Sequence, residues 1–141
     1  CTPAEAEAIR DTLVASAEAG NNIVVLIDDA YFGLVYEDGV YTESLFSYLA
    51  DAHPGILAVK IDGATKEDYA WGLRVGFITY AFAGADAGAL KALEDKTAGA
   101  VRGNISNASH LSQSLLLDTY GAEDFSSWKK EKYEILAGRY Q

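Results

Sequence analysis

Two apolar runs, "NIVVLID" at residues 22–28 and "ILAVKID" at 56–62, constrain the fold more than any other feature of this 141-residue chain. The first is a continuous run of β-branched and aliphatic residues, which suits a strand buried on both faces, as in a parallel sheet. The second, which carries Lys60, predicts another strand, and both end on an aspartate. A third run, "LRVGFITYAF" at 73–82, predicts another strand. Only about ten residues separate it from the second, which is marginal for a crossover helix, so an antiparallel third strand is expected.

Helices fill the remainder. Thr2-Pro3-Ala4-Glu5 has the composition of a helix start: Thr2 as cap, Pro3 in the first turn, Glu5 reaching back as in a capping box. Ile9, Leu13 and Val14 lie on one face, and Gly20-Asn21 ends the helix. A short helix is expected over Thr42–Ala52 with Leu45, Phe46 and Leu49 inward, after a loop or broken helix at "AYFGLVYEDG". Further helices are predicted over 86–101, over Ser109–Tyr120, and from about 122 to 141. The order is helix, strand, helix, strand, strand and three helices, an α/β layout with few strands.

Charge and composition exclude several functions. The net charge of −10 and the lack of a basic run argue against nucleic acid and anionic membranes as partners. Cys1 is the single cysteine, so no disulfide forms within the chain. No apolar run approaches spanning length and no signal peptide is visible, which makes the cytoplasm the expected location. The chain lacks methionine, opens directly on a helix and has few strands for its helices, so a fragment of a longer protein is expected.

Ligands of open α/β sheets gather at the carboxyl ends of the strands. Asp28 ends the first run, Tyr31 follows it, and Lys66 comes just after Asp62 ends the second. Arg74 begins the third run, and an antiparallel strand would bring it back to the same edge. A carboxylate, a phenol, an amine and a guanidinium would then line one cleft. Taken singly, each has a plainer role: a turn former, a packed ring, and two solvated cations.

Two motifs, "IDDAYFGLVY" and "GATKEDYAWGLRVGF", resemble those of the class I/II aminotransferases, pyridoxal-phosphate enzymes of fold type I. The first is similar to the family's strand followed by Asp-x-Ala-Tyr. The second is similar to its Ser-x-Ser-Lys motif, with Arg74 eight residues after Lys66 and Gly76 two further on. "PAEAEAIR" resembles the helix that follows the family's Asn-Pro-Thr-Gly loop. The resemblance implies that residues 1–141 are part of one pyridoxal-phosphate-binding large domain, with a mixed, mostly parallel sheet flanked by helices. Its terminal helix would lead toward a small domain past Gln141.

The same resemblance implies roles. Asp28 would face the ring nitrogen and keep it protonated, since an opposed carboxylate favours the charged form. Tyr31 would stabilise the oxyanion at O3′. Lys66 would form the Schiff base and shuttle the proton. Arg74 would grip the phosphate with paired hydrogen bonds, assisted by the Thr65 hydroxyl. The small residues before Lys66 would let a flat ring approach the backbone. "VRGNISNASH" resembles a segment that crosses the dimer interface in aspartate-type members, where Arg102 would bind a substrate's side-chain carboxylate. The parent enzyme would be a homodimer passing an amino group between an amino acid and a 2-oxo acid.

Departures from the family pattern fall at Gly63 and Thr65, where serines are usual, and at Trp71-Gly72, where Pro-Gly is frequent. The upstream phosphate turn, the ring-stacking aromatic residue and the arginine for the substrate α-carboxylate are absent. His110 is expected to be structural. Two other readings compete: a receiver-type signalling domain, suggested by the paired acids Asp28-Asp29 and a later lysine, and a noncatalytic α/β interaction module.

Overall fold

The computed structural model describes residues 1–140, so Gln141 lies outside the described residues. Helix α1, Pro3–Glu18, starts with the expected capping box: Thr2 Oγ1 accepts from the Glu5 N–H at 3.3 Å, and Glu5 Oε2 accepts from the Thr2 N–H at 2.7 Å. Gly20 takes a left-handed φ of +94° after the helix, a conformation glycine adopts without steric cost.

Three strands form one mixed sheet in the order β1-β2-β3: Ile23–Asp28, Ile56–Asp62 and Phe77–Ala81. β1 and β2 are parallel, with Val24 opposite Leu57 and Asp28 opposite Ile61. β3 is antiparallel to β2, with Asp62 opposite Phe77. Both pairings are those expected from the sequence.

Helix α2, Phe46–Leu49, is much shorter than the helix expected over 42–52. The Ser44 hydroxyl is drawn to Asp29 and accepts from the Phe46 N–H at 3.0 Å, so the chain before α2 is held by side-chain bonds and not by a helical ladder. Leu45, Phe46 and Leu49 do point inward. They pack with Leu13, Val25, Ile27 and Ala58 into the core between the sheet, α1 and α2. Leu49 and Ile56 are fully buried, each worth about 1.5–3 kcal/mol in transfer free energy.

Full burial of β1 on both faces is not found. Ile27 is 8% exposed, but Val24 and Leu26 on the opposite face are 61% and 68% exposed. On that side, helix α4, Ala87–Asn104, lies against β3, where the Tyr80 and Thr97 hydroxyls are 2.6 Å apart. It covers β3 only near Tyr80, leaves Ile78 on the same face 44% exposed, and leaves the edge strand β1 open. The apolar run thus records a face that the described residues do not cover.

A four-residue helix, α3 at Ala64–Glu67, occupies the β2–β3 link, where the sequence reading has no element. The predicted third strand is also shortened at its start. The Leu73 N–H bonds to the Ala70 carbonyl at 3.1 Å, which closes a turn ending at Leu73, and Arg74 enters the left-handed region at φ 54°, so residues 74–76 are irregular. α5, His110–Tyr120, is capped by Ser109, and α6 spans Phe125–Tyr140, close to the expected bounds. Ala64, Val75 and Leu116 form a second small core that seats α3 on α5.

Candidate functional site

The parallel pairing of β1 with β2 puts their carboxyl ends side by side, and the β2–β3 turn folds back over the same edge. A cleft of about 300 Å³ opens there, lined by Asp28, Asp62, Thr65, Lys66, Arg74 and the backbone at Gly63 and Gly76, among others. Four of the expected site residues, Asp28, Thr65, Lys66 and Arg74, therefore share one cavity.

Asp28 ends β1 with its side chain exposed, and its Oδ1 accepts from the Ala30 N–H at 3.2 Å. That bond makes an Asx-type turn, which aims the following loop across the end of β2. The turn carries Tyr31, 64% exposed, to the neighbourhood of the cleft. The Lys66 Nζ stands 3.6 Å from the Tyr31 ring centroid, in cation–π contact. Lys66 itself rides on the single turn of α3.

Arg74 does not begin β3; it sits in the irregular stretch between the turn at 71–73 and the strand. Its Nη1 lies 3.4 Å from Thr65 Oγ1, so guanidinium and hydroxyl face the same volume. Tyr69 and Arg74, at φ 58° and 54°, are two of the three non-glycine residues with positive φ among the described residues. Both follow Lys66 closely in the same link. Strain of this kind costs about 1–3 kcal/mol per residue and concentrates at functional segments.

The small residues before Lys66 have a reason of their own. A Cβ on Gly63 would stand 2.7 Å from the Val75 carbonyl oxygen and 3.0 Å from the Gly76 Cα. Ala64 has no exposed surface. The Val75–Gly76 backbone and the small core around Ala64 thus call for small residues here, whether or not a ring approaches. The same contact explains why no serine fits at position 63.

Two charged clusters have no counterpart in the sequence reading. Lys60 pairs with Asp62 and lies 3.9 Å from Asp29, with its ammonium 4.6 Å from the Phe32 ring centroid. Asp62 in the cleft is thereby compensated from behind. The signal is present in "VKID": Lys60 and Asp62, two apart on a strand, share a face. In the second cluster, Asp68 is 8% exposed and accepts from the Tyr120 hydroxyl at 2.6 Å and from Lys129 Nζ at 2.8 Å. Lys129 also reaches Glu67 at 3.0 Å. Burial, reinforced by the Asp68 carboxylate, pushes the Tyr120 phenol well up. For Lys129, burial alone would lower the pKa, but the bonds to Asp68 and Glu67 outweigh it and raise it. No local pattern announces a bond between α3 and α6.

Arg102 is not among the residues that line the cleft. It lies exposed in the last turn of α4, with Nη1 2.5 Å from Ser106 Oγ. His110 is the first residue of α5 and is exposed. A larger cavity of about 430 Å³ lies at the opposite end of β1 and β2, between Leu57, Phe82 and Leu93, with Lys96 as its one ionisable lining residue. Its lining offers no second group for chemistry. No helix among the described residues is long and apolar enough to cross a membrane. Neither a known protein family nor a curated protein matches the chain.

Proposed function

We propose that this chain is part of the large domain of a pyridoxal-phosphate-dependent aminotransferase of fold type I, whose cleft holds the cofactor. The observation that carries the reading is the meeting of Asp28, Thr65, Lys66 and Arg74 in one cleft, with Tyr31 against the Lys66 amine. The donor set fits the group: a guanidinium and a hydroxyl for a phosphate, a carboxylate for a ring N–H, and an amine for an aldehyde. The cleft volume of about 300 Å³ is at the small end of ligand pockets.

Bound there, pyridoxal phosphate would supply the electron sink that lets an amino acid lose its α-proton. The chain's own residues would do the rest. Arg74 and Thr65, already facing one another, would hold the phosphate. Asp28 would hold a proton on the ring nitrogen through charge attraction, with its carboxylate oriented by the Ala30 N–H. Tyr31 would place its hydroxyl beside the ring oxygen. Lys66 would attach the cofactor and, once freed by substrate, accept and return a proton at Nζ. Lys60 pairs with Asp62, so Lys66 and Arg74 would be left to meet an anionic group on their side of the cleft, with Asp28 on the other.

The substrates would be an amino acid and a 2-oxo acid, and the parent enzyme a homodimer. Arg102, outside the chain's own cleft, would then act only across that dimer interface. A receiver-type domain is less well supported, because Asp29 of its acid pair is engaged by Ser44 and Lys60 and the last strand is antiparallel. The test is spectroscopic. The chain mixed with pyridoxal phosphate should develop the absorbance band of the lysine-bound cofactor near the visible edge. Lys66→Ala should abolish it, and absence of the band in the unsubstituted chain would reject the reading.

A further inference from the structure

Lys66 sits on a helix of four residues, Ala64–Glu67. One turn of helix does not hold itself in water, because nucleation costs more than a single turn returns. Its position is therefore set by what grips its ends. At the leading end Gly63 abuts the Val75–Gly76 backbone, and Ala64 is sealed in a small core with Val75 and Leu116. At the trailing end the grip is polar. Glu67 and Asp68, the two residues after Lys66, both accept from Lys129 on α6, and Asp68 also accepts from Tyr120 on α5. The Tyr69 ring, next in sequence, meets Trp128 edge-on at 5.9 Å. The groups that face Asp68 are thus Tyr120 and Lys129, with Glu67 and Tyr69 beside it.

We propose that Asp68, tied to Tyr120 and Lys129, is a positioning residue for the Lys66 amine, so that α5 and α6 set where the nucleophile of the cleft points. This rests on the reading of the cleft as a pyridoxal-phosphate site. Asp68 is the buried hub: each of its oxygens is taken by one donor from a different helix, which leaves α3 little freedom to roll. Without the tie, Lys66 would still be present. It would wander relative to Tyr31 and Arg74, and a misplaced nucleophile loses rate and affinity steeply.

The experiment compares the chain with its Lys129→Met, Asp68→Asn and Lys129→Arg variants. Two quantities are read on protein shown to be folded by circular dichroism. One is the association constant for pyridoxal phosphate, from its lysine-bound band. The other, free of cofactor, is the rate of trace acetylation of Lys66 relative to the other lysines, measured by peptide mass across pH. Lys129→Met and Asp68→Asn should lower the association constant about tenfold and change the Lys66 acetylation rate, with Lys129→Arg restoring most of both. Folded Lys129→Met protein with unchanged Lys66 reactivity and association would overturn the proposal, as would a loss of thermal stability alone. If Lys129→Met does not fold, Tyr120→Phe, which removes one hydroxyl, decides by the same two measurements. If the unsubstituted chain shows no band, the cofactor reading falls, and the acetylation rate alone decides whether Asp68 positions Lys66.

Discussion

The Lys66 ammonium stands 3.6 Å from the centroid of the Tyr31 ring, which joins the turn after β2 to the loop after β1 across the mouth of two parallel strands. A contact of this kind on an exposed ring is worth about 0.5–1 kcal/mol. Tyr31→Phe should keep it and Tyr31→Ala should lose it. Trace labelling of Lys66 should therefore be unchanged in the first variant and altered in the second. Equal effects of both would show that the hydroxyl, not the ring face, holds the lysine.

Arg74 separates stability from binding. Its φ of 54° is strained for a side-chain-bearing residue, by about 1–2 kcal/mol, and glycine would relieve it. Arg74→Gly is expected to raise the unfolding midpoint in urea while it weakens pyridoxal-phosphate association. A lower midpoint would mean that the guanidinium contact with Thr65 outweighs the backbone cost.

At Gly63 the constraint is contact, not torsion. The position is extended, at φ 170°, which any residue adopts, but a Cβ there would collide with the Val75 carbonyl. Gly63→Ala should destabilise the chain by about 1–3 kcal/mol, seen as a fall in Tm of a few degrees. Gly72, where an added methyl group would meet nothing within 4 Å, should accept alanine at far lower cost.

Adjacent residues of β1 should respond oppositely. Ile27, in the core, is expected to cost about 2–5 kcal/mol as Ile27→Ala. Leu26→Thr, on the open face, should stay within about 0.5 kcal/mol. Chemical denaturation of the two variants checks both, and a large loss for Leu26→Thr would show that this face is covered in solution.

Alkaline pH should weaken the grip on α3. Lys129 and Tyr120 both have folded-state pKa values raised above their ordinary ones. Groups raised in the folded state contribute stability that is complete below the unfolded pKa, about 10 for either type, and is lost as pH rises through the folded value. Thermal unfolding should thus show a decline above about pH 10, and the decline should flatten in Tyr120→Phe and Lys129→Met. An unchanged slope in both variants would locate the alkaline loss elsewhere.

The chain's local rules are legible in its sequence. The Thr2–Glu5 capping box, the helix starts at Asp86 and Ser109, and the parallel and antiparallel pairings follow from capping residues, apolar runs and link length, all of which act within a few residues. Strand ends and motif spacing are enough to bring Asp28, Lys66 and Arg74 to one edge. What the run at 22–28 cannot reveal is that only one face of β1 is covered, because an apolar residue carries the same side chain whether or not a neighbour reaches it.

Tertiary structure alone decided the rest. The need for glycine at position 63 comes from the Val75 carbonyl, which draws near only once the turn has folded back. The burial of Asp68, and its bonds to Tyr120 and Lys129 more than fifty residues away, depend on three helices meeting at one point. Periodicity and capping are short-range and can be read along the chain. The partner of a buried charge is chosen by packing, and packing is a property of the folded whole.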